Sequence, residues 1–267
     1  MSNSQENKLT AEILAFCKGL GADLVAVASV ERFGGAPDGH KPQDILPGAR
    51  SVISFALNAL EGTFLPPTIH TYQLSYSLLR HTSNGMSYQI AKFLENKGFY
   101  SVMIPATFPL DMVEKKGLFG DFSHRHAAVA AGLGELGRIS ILVTPQYGPR
   151  VWLGTVITTA PLEASHLLDG PVCPRDTCSL CIEACPTGAL GPNGIDVKEC
   201  LKSGVHSWNL SGLLRHIKKI LREPDALEKE KIATGPDTWQ LYQSMVCGLI
   251  PHCDKCLAAC PIGRHCR

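Results

Sequence analysis

Two cysteine runs hold the residues most able to do chemistry in this chain. The first is Cys173-Pro-Arg-Asp-Thr-Cys178-Ser-Leu-Cys181-Ile-Glu-Ala-Cys185-Pro186, and the second is Cys253-Asp-Lys-Cys256-Leu-Ala-Ala-Cys260-Pro261. Each contains Cys-x2-Cys-x3-Cys-Pro, the run that wraps a [4Fe–4S] cluster in two-cluster proteins. Thiolates on one tight turn grip one cubane, while the cysteine before proline reaches across to the other. Two copies predict two clusters with crossed ligation. Zinc is the rival, because paired Cys-x2-Cys units also build tetrahedral thiolate sites. Zinc does not need the x3-Cys-Pro extension, which occurs here twice, so iron–sulfur is the expectation.

The crossed rule assigns Cys173, Cys178, Cys181 and Cys260 to the first cluster, with an x4 spacing after Cys173 in place of the usual x2. Cys185, Cys253 and Cys256 go to the second cluster, with Cys200 as fourth ligand and Cys247 as its competitor. Cys247-x5-Cys253 mimics the layout of the first run, whereas Cys200 follows that run as a short strand would. Cys266 has no motif position and is expected to be free; Cys17 sits on an apolar helix face and is expected in the core.

The surrounding chain must position these thiols. It has 267 residues, 45% hydrophobic and 18% charged, enough for one large domain or one domain plus a small appendage. Twenty-five basic and 24 acidic side chains leave a formal charge of +1, so no bulk field recruits nucleic acid. The polar N-terminus is no signal peptide, and no apolar run is long enough to span a membrane. Ten of the 11 cysteines lie after residue 170, which points to metal ligation rather than disulfides and to a reducing cytoplasm.

Apolar periodicity predicts a helix over residues 10–20, strands over 23–30, 51–57 and 100–106, and a helical region over 69–96 broken near 82–85. Ser123 is expected to cap a helix over 124–131, and residues 139–144 and 151–159 to pair as strands around Tyr147-Gly148-Pro149. This alternation gives an α+β chain, with an α/β domain over 1–165 and a cluster domain over 166–267. The cluster domain contains an insert with a basic helical stretch at 213–222. Gly132-Leu-Gly134-Glu-Leu-Gly137 spells the dinucleotide fingerprint, but it ends a helix and precedes a strand, the reverse of the order NAD binding needs.

Beyond the cysteines, the chain resembles the epoxyqueuosine reductase and reductive dehalogenase superfamily. The resemblance rests on Gly21-Ala-Asp-Leu-Val, Leu46-Pro-Gly-Ala-Arg-Ser-Val52, Ala131-Gly-Leu-Gly134 with Gly137-Arg138, Gly148-Pro-Arg-Val-Trp-Leu-Gly154, and Cys-x2-Cys-x3-Cys-Pro-Thr-Gly-Ala. It implies a nitroreductase-like cobalamin-binding domain followed by a ferredoxin-like domain with two [4Fe–4S] clusters, and an oxidoreductase in which electrons reach cobalt through the clusters. The sequence departs from that pattern in places. The Asp-Ser/Thr-x-Pro proton-donor motif of epoxyqueuosine reductases is Ala106-Thr107-Phe108-Pro109 here, and their Gly-Trp-x-Gly-Lys is Gly134-Glu-Leu-Gly-Arg138. Those enzymes also continue into a helical-repeat tail that helps hold tRNA, whereas this sequence stops at Arg267.

From that resemblance the expected corrinoid contacts are Ser123, His124, Arg125 and His126 at a helix start, Gly132 and Gly134, and Arg150, for which pairing with Glu135 is the alternative. His124 and His126 lie on different helix faces and are not expected to face one cavity together. No Asp-x-His-x-x-Gly motif is present, so cobalamin is expected without a protein histidine under cobalt. Candidate proton donors are Asp121, Asp111, His126 and Tyr76, with His81 also near the expected cavity. The expected partner is a redox protein, a small-molecule substrate or a protein-bound corrinoid, with tRNA not expected and no membrane contact. A pure electron carrier and a tail-less tRNA epoxyqueuosine reductase are the alternatives.

Overall fold

The computed structural model describes residues 2–107, 120–200, 202–203, 210–246 and 253–265. By internal contacts the chain forms two units: Met1–Glu61 with Leu78–Thr177 and Pro261–Arg267, and Gly62–Ser77 with Cys178–Cys260. These bounds differ from a single division at residue 165. The first unit keeps the chain through Thr177 and takes back the last seven residues, and the second takes 62–77.

The first unit is built on a sheet whose inner strands are apolar enough to be covered on both faces. Strands β1 (Leu24–Ser29), β2 (Ser51–Asn58), β3 (Ser101–Met103) and, later in the chain, Val151–Thr158 are ordered β1-β2-(151–158)-β3, with every neighbour antiparallel. On one face Ile53, Phe55 and Leu57 meet Leu9, Ile13 and Cys17 of α1 (Asn3–Gly19) and Met86, Ile90 and Leu94 of α3 (His70–Glu95). The short helix α2 spans Pro42–Ile45. On the other face Val52 and Ile157 pack with Ala127, Ala128 and Ala131 around helix α4 (His124–Ala130). Burying each such large side chain contributes roughly 1.5–3 kcal/mol. Cys17 is fully buried, and burial pushes its thiol up to about 12, so it is a core residue.

Two local expectations change. Helix α3 runs unbroken through Thr82-Ser-Asn-Gly85, because the polar groups there bond to the fold: Ser83 Oγ donates to the Leu153 carbonyl, and Asn84 Oδ1 accepts from Ala106 N–H. The strand predicted over 139–144 does not pair with 151–159. Instead β4 (Glu135–Leu136) pairs with β5 (Leu142–Val143), while β6 (Val151–Thr158) joins the main sheet. An isolated bridge between Thr144 and Gly148 closes the turn at Tyr147.

The second unit holds short elements: α5 (Leu180–Glu183), the hairpin β7 (Leu190–Gly191) to β8 (Gly194–Ile195), α6 (Val197–Cys200), α7 (Leu210–Arg222), α8 (Ala226–Thr234), α9 (Pro236–Val246) and α10 (Lys255–Ala259). Helices α5 and α10 pack together, as do α7, α8 and α9. Among the described residues no helix is long and apolar enough to cross a membrane.

Candidate metal centre and its surroundings

The cysteine motifs wrap two short helices that pack on one another. Cys178 precedes Ser179, the N-cap of α5; Cys181 lies within that helix, and Cys185 follows it. Cys253 and Cys256 straddle the start of α10, and Cys260 is its C-cap. Cys200 is the last residue of α6, a single helical turn rather than the expected short strand. Asp196 caps that turn: its Oδ1 accepts from the N–H groups of Lys198 and Glu199, and its carbonyl accepts from Cys200 N–H.

Electrostatics shows which thiols share a space. Burial pushes the Cys256 thiol up to about 12, and Cys253, Cys200, Cys181 and Cys185 add to the rise. Burial also raises Cys200, with Cys253 and Cys185 adding to it. Cys253 is raised first by burial, and Asp254 and Cys185 act in the same direction. Cys185 behaves differently. Burial would raise it, but N–H groups of Thr187, Leu190 and Ala189 and the Thr187 hydroxyl outweigh burial and lower it. The turn after Cys185, with Gly188 at φ +66°, aims backbone donors at the sulfur. Cys185, Cys200, Cys253 and Cys256, with Cys181 also acting on Cys256, thus form one group of neighbouring thiols. That donor set fits an all-thiolate cluster. Among the described residues no three His, Cys, Asp or Glu side chains converge on one ion position. Cys247 and Cys266 lie outside the described residues.

A neighbour of this group was hidden in the sequence. Tyr72, assigned to an apolar helix face, is buried, and its phenol is held well above its usual range by burial, then by Tyr76, Asp254, Cys256 and Cys253. Its ring lies 6.0 Å from that of Tyr76. Asp254, between two motif cysteines, is only 5% exposed, with Lys255 Nζ 3.6 Å from its carboxylate. No pattern of spacing marks either residue.

In the first unit, the segment from Gly132 to Arg138 acts as a bracket for the Cys173 loop. Glu135 Oε1 accepts from the N–H groups of Val172 (3.1 Å) and Cys173 (2.5 Å). The Arg138 guanidinium donates to the Arg175 carbonyl, and that of Arg175 donates to the Leu136 carbonyl. The glycines permit close backbone approach: a Cβ at Gly132 would meet the His166 carbonyl at 2.1 Å, and one at Gly134 the Val143 carbonyl at 2.3 Å. The fingerprint-like spacing therefore has a packing cause.

The residues expected to hold a corrinoid are engaged within the protein. Ser123 caps α4, accepting from His126 N–H, and its hydroxyl lies 2.7 Å from His126 Nδ1. The Arg125 guanidinium donates to the carbonyl of Ser140, whose φ is +56°. His124 Nε2 donates to the Pro105 carbonyl at 2.9 Å, which leaves Nδ1 to accept from the Thr155 hydroxyl at 2.8 Å. Arg150 does not pair with Glu135: it is 3% exposed, and its guanidinium donates to the Ile262 carbonyl at 2.5 Å. Gly132 and Gly134 face backbone, as above. Both ring nitrogens of His124 are thus used within the protein, and Arg150 holds a tail carbonyl. Of the candidate acids, Asp121 is exposed and its carbonyl accepts from His40 Nδ1 at 2.8 Å. Asp111 lies outside the described residues. Tyr76 belongs to the second unit, and His81 is exposed beside Arg80, 3.1 Å away.

Burial keeps His124 neutral and lowers its pKa below 6.5. A histidine depressed by folding binds fewer protons in the native state, so stability falls as pH drops from about 6.5 toward the folded-state pKa. In urea titrations of the reduced protein, His124→Asn should remove up to about 2 kcal/mol of the stability difference between pH 7 and 5. Equal pH dependence in the two proteins would contradict the buried-neutral assignment.

No family model matches the chain. Epoxyqueuosine reductase of Bacillus cereus is 25% identical over 284 aligned residues, covering 95% of this chain and 64% of that protein. The Gloeobacter violaceus epoxyqueuosine reductase is 34% identical over 166 residues, covering 60% of this chain and 47% of its own. Among solved structures, a reductive dehalogenase described with B12-dependent dehalogenation has a TM-score of 0.60 at 18% identity, covering 90% of this chain and 36% of that one. The chain is thus similar in sequence to epoxyqueuosine reductases and in fold to a reductive dehalogenase. It spans just under two thirds of the length of its Bacillus cereus relative.

A further structure of this fold is an epoxyqueuosine reductase with an epoxyqueuosine-modified tRNA-Tyr stem loop, at TM-score 0.58 and 19% identity, covering 96% of this chain and 65% of that one. This corrects the expectation that set tRNA aside. Near-neutral total charge was a poor guide, because a sum over 49 charged side chains is silent about where they lie.

Proposed function

We propose that this chain is an iron–sulfur reductase of the epoxyqueuosine reductase type, with the modified base of tRNA as substrate. The observation that carries the reading is the alignment with an epoxyqueuosine reductase over 95% of the chain, joined to the Cys185, Cys200, Cys253 and Cys256 group. In this reading those four residues hold one [4Fe–4S] cluster, and Cys178, Cys181 and Cys260 serve the other. When bound, the clusters supply reducing equivalents one electron at a time.

Deoxygenating an epoxide to an alkene takes two electrons and two protons and releases water. The protein's own part is to hold the thiols fixed in place. Asp196 orients Cys200, the N–H groups after Cys185 hold its sulfur, and Glu135 fixes the backbone at Cys173. The test is anaerobic turnover: reconstituted protein with dithionite and epoxyqueuosine-modified tRNA-Tyr should yield queuosine, read by nucleoside mass spectrometry, with and without added cobalamin.

A further inference from the structure

Helix α7 carries Arg215, Lys218, Lys219 and Arg222 at i, i+3, i+4 and i+7, which places all four on one face. All four are exposed, and with Glu223 they line a concavity of about 450 Å³. Four cations beside one carboxylate stand out in a chain whose formal charge is only +1. The stripe runs two turns, about 10 Å, which suits a row of charges better than a single anion. The same three-helix segment also exposes an aromatic pair. Trp239 and Tyr242 on α9 are 59% and 55% exposed, with ring centroids 5.7 Å apart and edge to face. Cations that follow a backbone, and aromatic rings open to unpaired bases, are the two elements of single-stranded RNA recognition.

We propose that the α7 face formed by Arg215, Lys218, Lys219 and Arg222 binds the phosphodiester backbone of tRNA. The choice of polyanion rests on the reductase reading above; the stripe and the aromatic pair do not. The face acts by displacing condensed counterions, so its contribution fades with salt.

The experiment is fluorescence-anisotropy binding of the reconstituted protein to labelled tRNA-Tyr between about 50 and 300 mM salt. The comparison is a variant with Arg215→Gln, Lys218→Gln, Lys219→Gln and Arg222→Gln. With each phosphate contact setting about 0.7–0.9 of the log–log salt slope, the variant should lose about 3 from the slope and at least about thirtyfold in affinity at the lowest salt. A Lys202→Gln/Lys231→Gln control should bind like wild type, and a variant exchanging Lys for Arg and Arg for Lys on the stripe should keep the slope. Equal affinity and slope in wild type and the neutralised variant overturn the proposal, whether or not the protein turns over. Helix-dependent binding without turnover would remove the reductase reading and leave this face standing. If the variant loses only binding to phosphatidylserine vesicles while tRNA binding is unchanged, the face is a membrane contact and the proposal fails.

Discussion

Cys200→Ala protein, purified and reconstituted anaerobically, should retain about half the iron of wild type, near four rather than about eight atoms per chain. The expectation follows from the thiol group: Cys200 is coupled electrostatically to Cys253, Cys185 and Cys256, and α6 is held by Asp196 so that Cys200 ends its only turn. Removing one of four ligands leaves an open iron corner, and a cubane with an open corner is readily lost. Cys17→Ala should leave the iron unchanged, because that thiol lies in the core between α1 and the sheet. A silent Cys200→Ala together with iron loss in Cys247→Ala would move the fourth ligand to Cys247.

The second large effect concerns the bracket around the Cys173 loop. Gly134→Ala should lower the thermal midpoint by more than 6 °C, or prevent accumulation of folded protein. The new Cβ would stand 2.3 Å from the Val143 carbonyl oxygen and 2.9 Å from its carbon, and backbone on a paired strand cannot swing aside as a side-chain tip can. Overpacking of this kind costs about 3 kcal/mol, at 2–4 °C per kcal/mol for a chain of this size. Gly85→Ala is the matched contrast. Gly85 is an exposed glycine inside α3 with nothing within 4 Å of a built Cβ, so alanine there should stabilise by about 0.5–1 kcal/mol. Equal tolerance of the two substitutions would mean the Gly134 approach is looser than the geometry indicates.

The cysteine motifs stand out in the sequence because cluster ligation, as proposed, is a local demand: a tight turn must present thiolates at fixed spacing, and spacing is what a sequence displays. The buried sheet was legible for a similar reason, since Ser51-Val-Ile-Ser-Phe-Ala-Leu57 is apolar at nearly every position and only a strand covered on both faces uses such a run. The surroundings of the site were not legible. Tyr72 feels the charges of Cys253 and Cys256 across about 180 residues of sequence, and nothing in its helical spacing separates it from an ordinary core tyrosine. Arg150 and Glu135 are polar residues in glycine-rich segments, a setting that suggests ligand contacts. The structure turns both toward main-chain groups, the Ile262 carbonyl and the Cys173 N–H, because tight loops leave main-chain donors and acceptors that need partners. The break expected in α3 failed for the same reason in reverse: Ser83 and Asn84 look like helix breakers until their tertiary partners are known.

The most direct measurement of the central claim is queuosine formation in anaerobic single-turnover reactions, quantified per protein chain, with Cys256→Ser as the electron-transfer control. The reductase reading predicts conversion of epoxyqueuosine-modified tRNA-Tyr by wild type, and none by Cys256→Ser. Wild-type protein that carries about eight irons, is reduced by dithionite and binds the tRNA, yet leaves every epoxide intact with cobalamin in excess, would contradict it.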